Sequence, residues 1–320
     1  MASVHSEETR ESTLPIVSQA EHWRSIMNPL MHTDGGSDYE EMTLNTKAGS
    51  LRILVYRPSH WKPDAKHPVH LHMHGSGWVI FKPEMDNAWC RLVSENTGAV
   101  VISPDYCKAP EHSYPAAMNQ CYEVLRWIAD TSSNGGATLF SLDLNKVILG
   151  GFSAGGNLAF TVALKFLQEK DIAAKLVMLC SIFPVVDLTT PYEQKLERVS
   201  ADCQAKSIPL PLMNLFLTAD TRPKQRAEPL CSPNFAAQDW LAQLPSSIIF
   251  TAEWDSLYLE GNQFAHQLRD AGVHVVHRMY ARSTHGFINR LPDEEDYNEE
   301  TQNEATALAI AEMNRAFGSA

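Results

Sequence analysis

The pattern Gly-Phe-Ser-Ala-Gly at residues 151–155 constrains the fold of this chain more than any other feature. Residues 146–152 (KVILGGF) predict a buried strand, and residues 154–169 predict a helix that is apolar on nearly all sides. A serine on a sharp turn between a strand and a helix has its hydroxyl lifted clear of the end of the sheet. The first amides of the helix favour negative charge at the same place. The pattern therefore predicts Ser153 as a nucleophile.

Strand and helix patterns alternate on both sides of this motif. Runs of apolar and β-branched residues predict further strands at 51–58, 67–75, 99–106, 176–184, 246–255 and 274–280. Apolar residues at helical spacing predict helices at 115–129 and 304–317. This alternation predicts an α/β fold with a mostly parallel central sheet flanked by helices.

One long segment interrupts the alternation. Residues 191–240 lie between two predicted strands, are rich in proline and are too long for a simple crossover. We therefore predict that they form an inserted helical cap. Residues 1–50 are predicted to be an N-terminal cap or lid segment, which leaves 51–190 and 241–320 as the α/β core.

A serine hydroxyl needs a base, and the base needs a group that orients it. On a sheet of this kind the chain order is serine, acid, histidine. Asp255 ends the predicted strand 246–255, and His285 follows the last predicted strand. We predict that these two residues and Ser153 form a catalytic triad. Glu253, two residues before Asp255, is the alternative acid.

Residues 74–78, His-Gly-Ser-Gly-Trp, follow an early predicted strand. An oxyanion that forms at a serine nucleophile must be stabilised by backbone N–H groups. A glycine-rich loop after an early strand supplies such donors together with the amide that follows the nucleophile. We therefore predict an oxyanion hole made by Gly75, Ser76, Gly77 and Ala154.

Five blocks, in this order, resemble the hormone-sensitive-lipase-like group of α/β hydrolases: HGSGW at 74–78, PDYCKAPEHSYPAA at 104–117, GFSAGGNLA at 151–159, WDSLYLEG at 254–261 and THGF at 284–287. The resemblance runs from about Leu51 to the C-terminus. It implies the α/β-hydrolase fold with a helical cap. It also implies a serine carboxylesterase that acts on short- to medium-chain or other small-molecule esters, with no metal and no cofactor.

Three departures from the family pattern concern the substrate. Cys107 and Lys108 replace Arg-Leu of the family pattern. Ser76 replaces the middle glycine of the family's HGGG loop, and we expect its hydroxyl to line the acyl site. Phe152 replaces the aspartate that usually precedes the nucleophile, which makes this turn more apolar. We predict Trp78, Phe152 and Phe216 as substrate-binding residues. An acyltransferase, lyase or cyclase on the same fold remains an alternative, and a non-catalytic ligand receptor is a weaker one because His285 is present.

Composition limits the partners. The net charge of −12 disfavours nucleic acid, which binds basic surfaces. No run approaches the ~18 apolar residues of a membrane-spanning helix, and the first residues lack the pattern of a signal peptide. Six scattered cysteines are typical of reduced thiols, so a cytoplasmic protein is expected. A homodimer is left open.

Three histidines alternate along the early strand, at positions 70, 72 and 74. Alternate residues share one face of a strand, and such a cluster is a candidate zinc site. However, the oxyanion loop already explains His74, and no carboxylate lies nearby in sequence to complete the site. We therefore predict no metal.

Overall fold

A computed structural model describes residues 15–30 and 38–318. Its eight strands form one sheet: β1 (Glu40–Thr46), β2 (Gly49–Tyr56), β3 (His67–Met73), β4 (Val100–Pro104), β5 (Leu142–Phe152), β6 (Leu176–Ile182), β7 (Ser246–Trp254) and β8 (Val275–Thr284). Their order across the sheet is β1-β2-β4-β3-β5-β6-β7-β8. The strand β2 pairs antiparallel with both neighbours, and the strands from β4 to β8 pair in parallel. The predicted mostly parallel sheet is confirmed.

The helices follow the strands in the expected alternation. They are α1 (Ile16–Met27), α2 (Asn87–Thr97), α3 (Ala116–Ala129), α4 (Gly136–Leu139), α5 (Ala154–Glu169), α6 (Tyr192–Glu197), α7 (Ala201–Lys206), α8 (Leu210–Asp220), α9 (Gln238–Leu241), α10 (Tyr258–Asp270) and α11 (Glu299–Phe317). Short 3-10 turns lie at Asn28–Leu30, Pro83–Asp86, Pro233–Phe235 and Phe287–Asn289. The last helix begins five residues before the predicted start, because the Asn298 side chain accepts a hydrogen bond from the Thr301 amide and caps it.

Two apolar layers cover the two faces of the sheet. Helices α3, α5 and α10 contribute to one layer, and α2 and α11 contribute to the other. Strands β3 and β4 lie between these layers and are buried almost throughout. Burial on both faces explains why β4, VVISP, is a continuous apolar run. Strand β3, HPVHLHM, is equally buried although histidines alternate with its apolar residues. The sheet therefore provides a rigid base on which the loops at its ends are held.

The predicted N-terminal segment extended too far. Residues 40–50, predicted as part of the cap or lid, instead form β1 and the first residues of β2 at the edge of the sheet. Side chains of β1 alternate between half-buried and exposed. An edge strand with one solvated face carries polar residues, here EEMTLNT, so its sequence resembles that of an outer segment.

The segment between β6 and β7 is helical and contains α6 to α9. Helix α8 is apolar on most sides, and its buried residues include Leu212, Met213, Leu215, Phe216 and Leu217. It packs against α1. The N-terminal helix and this insertion therefore form a contiguous layer, although they are far apart in sequence.

Candidate active site

Ser153 lies on the turn between β5 and α5, with φ 55° and ψ −116°. A non-glycine residue in this region of backbone space is strained, and such strain is common at functional turns. The turn is packed tightly against the end of β3. A Cβ atom on Gly155 would lie 1.9 Å from the Met73 carbonyl oxygen, and one on Gly151 would lie 2.3 Å from it. Both glycines are therefore required for this close approach.

Asp255 and His285 lie at the same end of the sheet and contact each other. Asp255 directly follows β7, and His285 directly follows β8. His285 Nδ1 donates a hydrogen bond to Asp255 Oδ2 at 2.7 Å. Asp255 is buried, and its Oδ1 accepts from the Leu257 amide at 3.1 Å. A proton held on Nδ1 leaves Nε2 of the imidazole as an acceptor, which is the state that a general base requires.

Glu253, the alternative acid, has a different partner. Its Oε2 accepts a hydrogen bond from the Arg282 amide at 2.7 Å. This contact joins β7 to β8 and engages one of its carboxylate oxygens away from His285. The geometry favours Asp255 as the orienting acid.

The loop at residues 74–78 contacts the turn that carries Ser153. A Cβ atom on Gly75 would lie 3.4 Å from the Phe152 carbonyl oxygen, so the two backbones are in contact. Gly77 and the residue after it have positive φ angles of 53° and 62°. Ala154 is the first residue of α5, so its amide has no acceptor within the helix. The predicted oxyanion donors thus lie on two adjacent backbone segments beside Ser153.

The Ser76 hydroxyl does not face a ligand site, contrary to expectation. Its Oγ lies 2.6 Å from the Tyr106 hydroxyl and accepts from the Trp78 amide at 2.9 Å. Tyr106 in turn donates to the His74 carbonyl at 2.7 Å, so the Ser76 hydroxyl donates to Tyr106. The serine side chain is buried and stabilises the loop internally.

His74 supports the same loop and stays neutral. Its Nδ1 donates to the Gly75 carbonyl at 3.0 Å, and its ring stacks on Tyr106 with centroids 4.5 Å apart. Burial, and then the nearby Lys108 charge, lower the pKa of His74 well below its usual value. Lys108 lies 4.0 Å from the centroid of the Tyr106 ring and donates to Asp105 at 3.2 Å. Sequence reasoning missed the role of Tyr106, because its hydrogen bonds to the loop join residues that are far apart in the chain.

Phe152 lies in the core rather than at a ligand surface. Only 2% of it is exposed. Its ring packs edge-on against His72 and Trp89, with centroid distances of 4.9 and 5.1 Å. This position supports the Ser153 turn from below, so it does not favour the predicted direct contact with substrate.

Phe216 comes from α8 and covers the oxyanion loop. A Cβ atom on Gly77 would meet Phe216 Cδ2 at 2.3 Å, so the phenyl ring lies directly on this glycine. Phe216 therefore lies where an acyl chain near the loop would contact it. Direct substrate contact by Phe216 and by Trp78 remains a prediction.

Trp78 lines a small cavity behind the loop, together with Tyr114, Asn157 and Asp220. Asp220 ends α8 and is 4% exposed. Burial raises the pKa of its carboxyl to about 7. No pattern in the sequence indicates that this group is buried, because a lone aspartate in a helix is usually solvated.

The alternating histidines have different neighbours. The rings of His70 and His72 lie side by side with centroids 5.5 Å apart, whereas His74 stacks on Tyr106. Within residues 15–30 and 38–318, no three His, Cys, Asp or Glu side chains are grouped so that they could hold a metal ion. In the same residues, no helix is long and apolar enough to cross a membrane.

Comparisons with known proteins agree with this geometry. A family model described as alpha/beta hydrolase fold matches residues 70–289. An arylesterase of Saccharolobus solfataricus is 28% identical over 255 residues, which cover 80% of this chain and 78% of the arylesterase. LipN of Mycobacterium tuberculosis, a carboxylic ester hydrolase, is 28% identical over 291 residues that cover 86% of this chain and 70% of LipN.

Solved structures extend the similarity to the whole fold. An esterase of Pyrobaculum calidifontis is 29% identical, with a TM-score of 0.79 over 95% of this chain and 94% of that one. The thermostable carboxylesterase EstE1, cloned from a metagenomic library, is 27% identical, with a TM-score of 0.79 over 95% of this chain and 99% of that one. The chain belongs to the α/β-hydrolase fold family, as its resemblance to the hormone-sensitive-lipase-like group indicated.

Proposed function

We propose that this protein is a serine carboxylesterase that hydrolyses short- to medium-chain or other small-molecule esters through an acyl-enzyme on Ser153. The observation that carries the proposal is the hydrogen bond between His285 and Asp255, placed at the same sheet end as the strained Ser153 turn. The similar proteins named arylesterase and carboxylic ester hydrolase support the same reaction class.

The reaction has two half-reactions. Ser153 Oγ attacks the ester carbonyl carbon while His285 Nε2 takes the hydroxyl proton, and Asp255 stabilises the imidazolium that forms. Backbone amides, among them those of Gly77 and Ala154, donate to the oxyanion. The alcohol leaves with the proton from His285, and a water molecule then releases the acid by the same steps in reverse.

We infer that α1 and residues 191–240 act as the cap over this site. Two observations support the inference: α1 packs against α8, and Phe216 of α8 lies on Gly77 of the oxyanion loop. A bulky aromatic ring at that position limits the volume next to the reacting carbonyl. This arrangement supports small acyl groups as the preferred substrates.

The test is replacement of the nucleophile. Ser153→Ala should lower kcat for p-nitrophenyl butyrate by at least about 10³-fold, because triad members act together. An organophosphonate should label the wild-type protein at Ser153 and leave the variant unlabelled. Ser181→Ala on β6 is the control, since this buried hydroxyl has no hydrogen-bond partner among the described residues. The proposal fails if Ser153→Ala retains more than about a tenth of the activity.

We also propose a cytoplasmic location. All six cysteines are free thiols, and five of them are buried. Free thiols in such number are typical of proteins that fold in a reducing compartment. Cell fractionation followed by immunoblotting tests the proposal, and recovery of the protein in a secreted fraction would contradict it.

A further inference from the structure

A second buried polar network lies beneath the candidate active site and is not part of the triad. His72 Nε2 and Asp86 Oδ2 are 2.8 Å apart, and both side chains are fully buried. The other carboxylate oxygen, Asp86 Oδ1, accepts a hydrogen bond from Asn289 Nδ2 at 2.6 Å. Asp86 thus bridges two residues, His72 and Asn289, that are 217 positions apart in the chain.

The network joins the two segments that must be held in register during catalysis. His72 lies on β3, one residue before the end of the strand, and the oxyanion loop begins immediately after it. Asn289 lies in the 3-10 turn Phe287–Asn289, four residues after His285. Asp86 ends the turn that follows the oxyanion loop. One carboxylate therefore connects both halves of the candidate site.

Other polar contacts hold the segment after His285 from its own side of the site: Arg290 Nη2 lies 3.5 Å from the His285 carbonyl oxygen and also pairs with Glu294. Gln302 Nε2 donates to the carbonyls of Phe287 and Arg290, both at 2.8 Å, and so ties this segment to α11. That contact does not reach the oxyanion side of the site. Among the side-chain hydrogen bonds of this segment, the one from Asn289 to Asp86 is directed toward β3 and its loop.

Burial makes this connection energetically important. A buried carboxylate oxygen that loses its partner bears the cost of desolvation, which favours a rearrangement of the surrounding segments. Such a movement would displace His285 from Ser153, and displacements of about 1 Å cost on the order of 10²-fold in rate.

We propose that Asp86 is a positioning residue whose carboxylate, through Asn289, sets the His285 segment against the strand that carries the oxyanion loop. The proposal rests on the proposed function, because it assigns the base role to His285. Asp86 does not touch the substrate, so its removal should change the rate of the chemical step and leave binding almost unchanged.

Asn289→Leu is the primary test, because it removes the donor while it preserves the size of the side chain. We expect kcat for p-nitrophenyl butyrate to fall by about tenfold or more with KM within about threefold of wild type. The rate of phosphonate labelling at Ser153 should fall in parallel, since labelling also needs the positioned base. Asn289→Gln, which retains the amide, should recover part of the lost rate.

Asn262→Leu is the matched control. Asn262 is a half-buried asparagine on α10 whose Oδ1 accepts from Thr251 at 2.9 Å and contacts His277 at 2.8 Å. The Asn262→Leu variant should lose about as much free energy of unfolding as the Asn289→Leu variant, but it should keep kcat within about twofold of wild type. An equal loss of kcat in both variants would overturn the proposal, as would wild-type kcat in Asn289→Leu.

A double variant adds a second readout. If Asp86 acts through Asn289, then Asp86→Ala combined with Asn289→Leu should be no slower than Asp86→Ala alone, and additive losses would overturn the proposal. Ser153→Ala separates this inference from the proposed function. An inactive Ser153→Ala with a fully active Asn289→Leu rejects only the positioning role, whereas an active Ser153→Ala rejects the proposed function itself.

Discussion

The role of the Ser76 hydroxyl in the structure differs from the role that the sequence predicts. The family pattern has glycine at this position, and the extra hydroxyl was expected to face the substrate. Instead it fills a buried hydrogen-bonding position between the Trp78 amide and the Tyr106 hydroxyl. Trp78 has a positive φ of 62°, so this side-chain contact stabilises an unfavourable backbone conformation.

Ser76→Ala should therefore affect both stability and rate. It leaves the buried Trp78 amide without its acceptor, which costs about 1–3 kcal/mol of the free energy of unfolding. Because the amides of this loop are the predicted oxyanion donors, kcat should fall about 10-fold, with a smaller change in KM. Urea unfolding and steady-state kinetics measure the two effects. Wild-type values for both would show that the loop keeps its shape without the hydroxyl.

Asp220 predicts a pH dependence of stability. Burial raises the pKa of its carboxyl in the folded protein to about 7, whereas the unfolded value is about 3.9. Between these values the folded state binds more protons than the unfolded state, so the free energy of unfolding falls as the pH rises from about 4 to about 7. Asp220→Asn removes this loss. The variant should be more stable than wild type at pH 8, by on the order of a few kcal/mol, and nearly equal at pH 4.

The matched control for this prediction is Asp270→Asn. Asp270 is the exposed last residue of α10, as Asp220 is the buried last residue of α8. Its replacement should leave the pH dependence of thermal unfolding unchanged. A wild-type pH dependence in Asp220→Asn would show that another group causes it.

At the level of single residues, the sequence predicts those catalytic residues whose positions follow from their order along the chain. The fold places serine, acid and histidine at successive strand ends, which predicts Ser153, Asp255 and His285, and the structure joins the last two at 2.7 Å. The partners of Ser76 and the burial of Phe152 depend on side chains from other elements. The spacing of residues along the chain does not indicate contacts between distant elements, so these contacts were not predictable.

Among the elements, helix α1 is the one whose attachment the sequence did not indicate. Arg24 on this helix donates to the Val79 carbonyl at 2.9 Å and to the Ala109 carbonyl at 2.7 Å. The same guanidinium forms a two-pronged pair with Glu111, at 2.7 and 2.8 Å. The N-terminal helix is thereby fixed to Val79, which immediately follows the oxyanion loop, and to the later segment at residues 109–111.

Arg24→Lys should loosen this attachment, because an ammonium group does not reproduce the planar fork of donors. We expect a loss of about 1–3 kcal/mol in local stability, which corresponds to amide exchange about tenfold or more faster in residues 16–27. Hydrogen exchange with mass spectrometry measures it. Arg278→Lys is the control, since Arg278 is exposed, pairs with the exposed Glu304 and lies 6.0 Å from the Tyr280 ring centroid. Equal exchange rates in both variants would contradict this role of Arg24.

The strands were predictable where burial is uniform and were missed where it is not. The apolar runs at β4, β5 and β7 predict the parallel strands of the core, because a strand buried on both faces has a continuous run of apolar residues. In contrast, β1 is half-exposed and polar, and its pairing with β2 depends on the hairpin rather than on its own composition.

At the scale of the whole molecule, the arrangement separates a rigid base from a covering layer. The sheet and its two apolar layers position Ser153, Asp255 and His285, which come from three different strand ends. The covering layer of α1 and α8 lies on the other side of the oxyanion loop. The reacting groups and the residues that limit substrate size are thus on separate parts of the molecule, and each can be changed without the other.

The covering layer predicts how the rate depends on acyl chain length. Each buried CH₂ contributes ~0.8 kcal/mol only while the site has room for it. Phe216 fills the space over Gly77, and Ser153 is only 7% exposed. Esters from acetate to hexanoate should therefore have the highest kcat/KM. For longer chains, steric overlap should offset the favourable burial of the added CH₂ groups, so kcat/KM should not rise further. Faster turnover of palmitate than of butyrate esters would contradict a small site.

Phe216→Ala should move this optimum toward longer chains, because it removes the ring that limits the site while the base of the molecule stays intact. In a series of p-nitrophenyl esters, kcat/KM of Phe216→Ala should exceed that of wild type most for octanoate and decanoate. For acetate, kcat/KM should change little. Phe235→Ala is the matched control, since this phenylalanine belongs to the same insertion but is 44% exposed. If both variants keep the wild-type optimum, the covering layer does not determine acyl length, and the limit must come from the loops of the sheet itself.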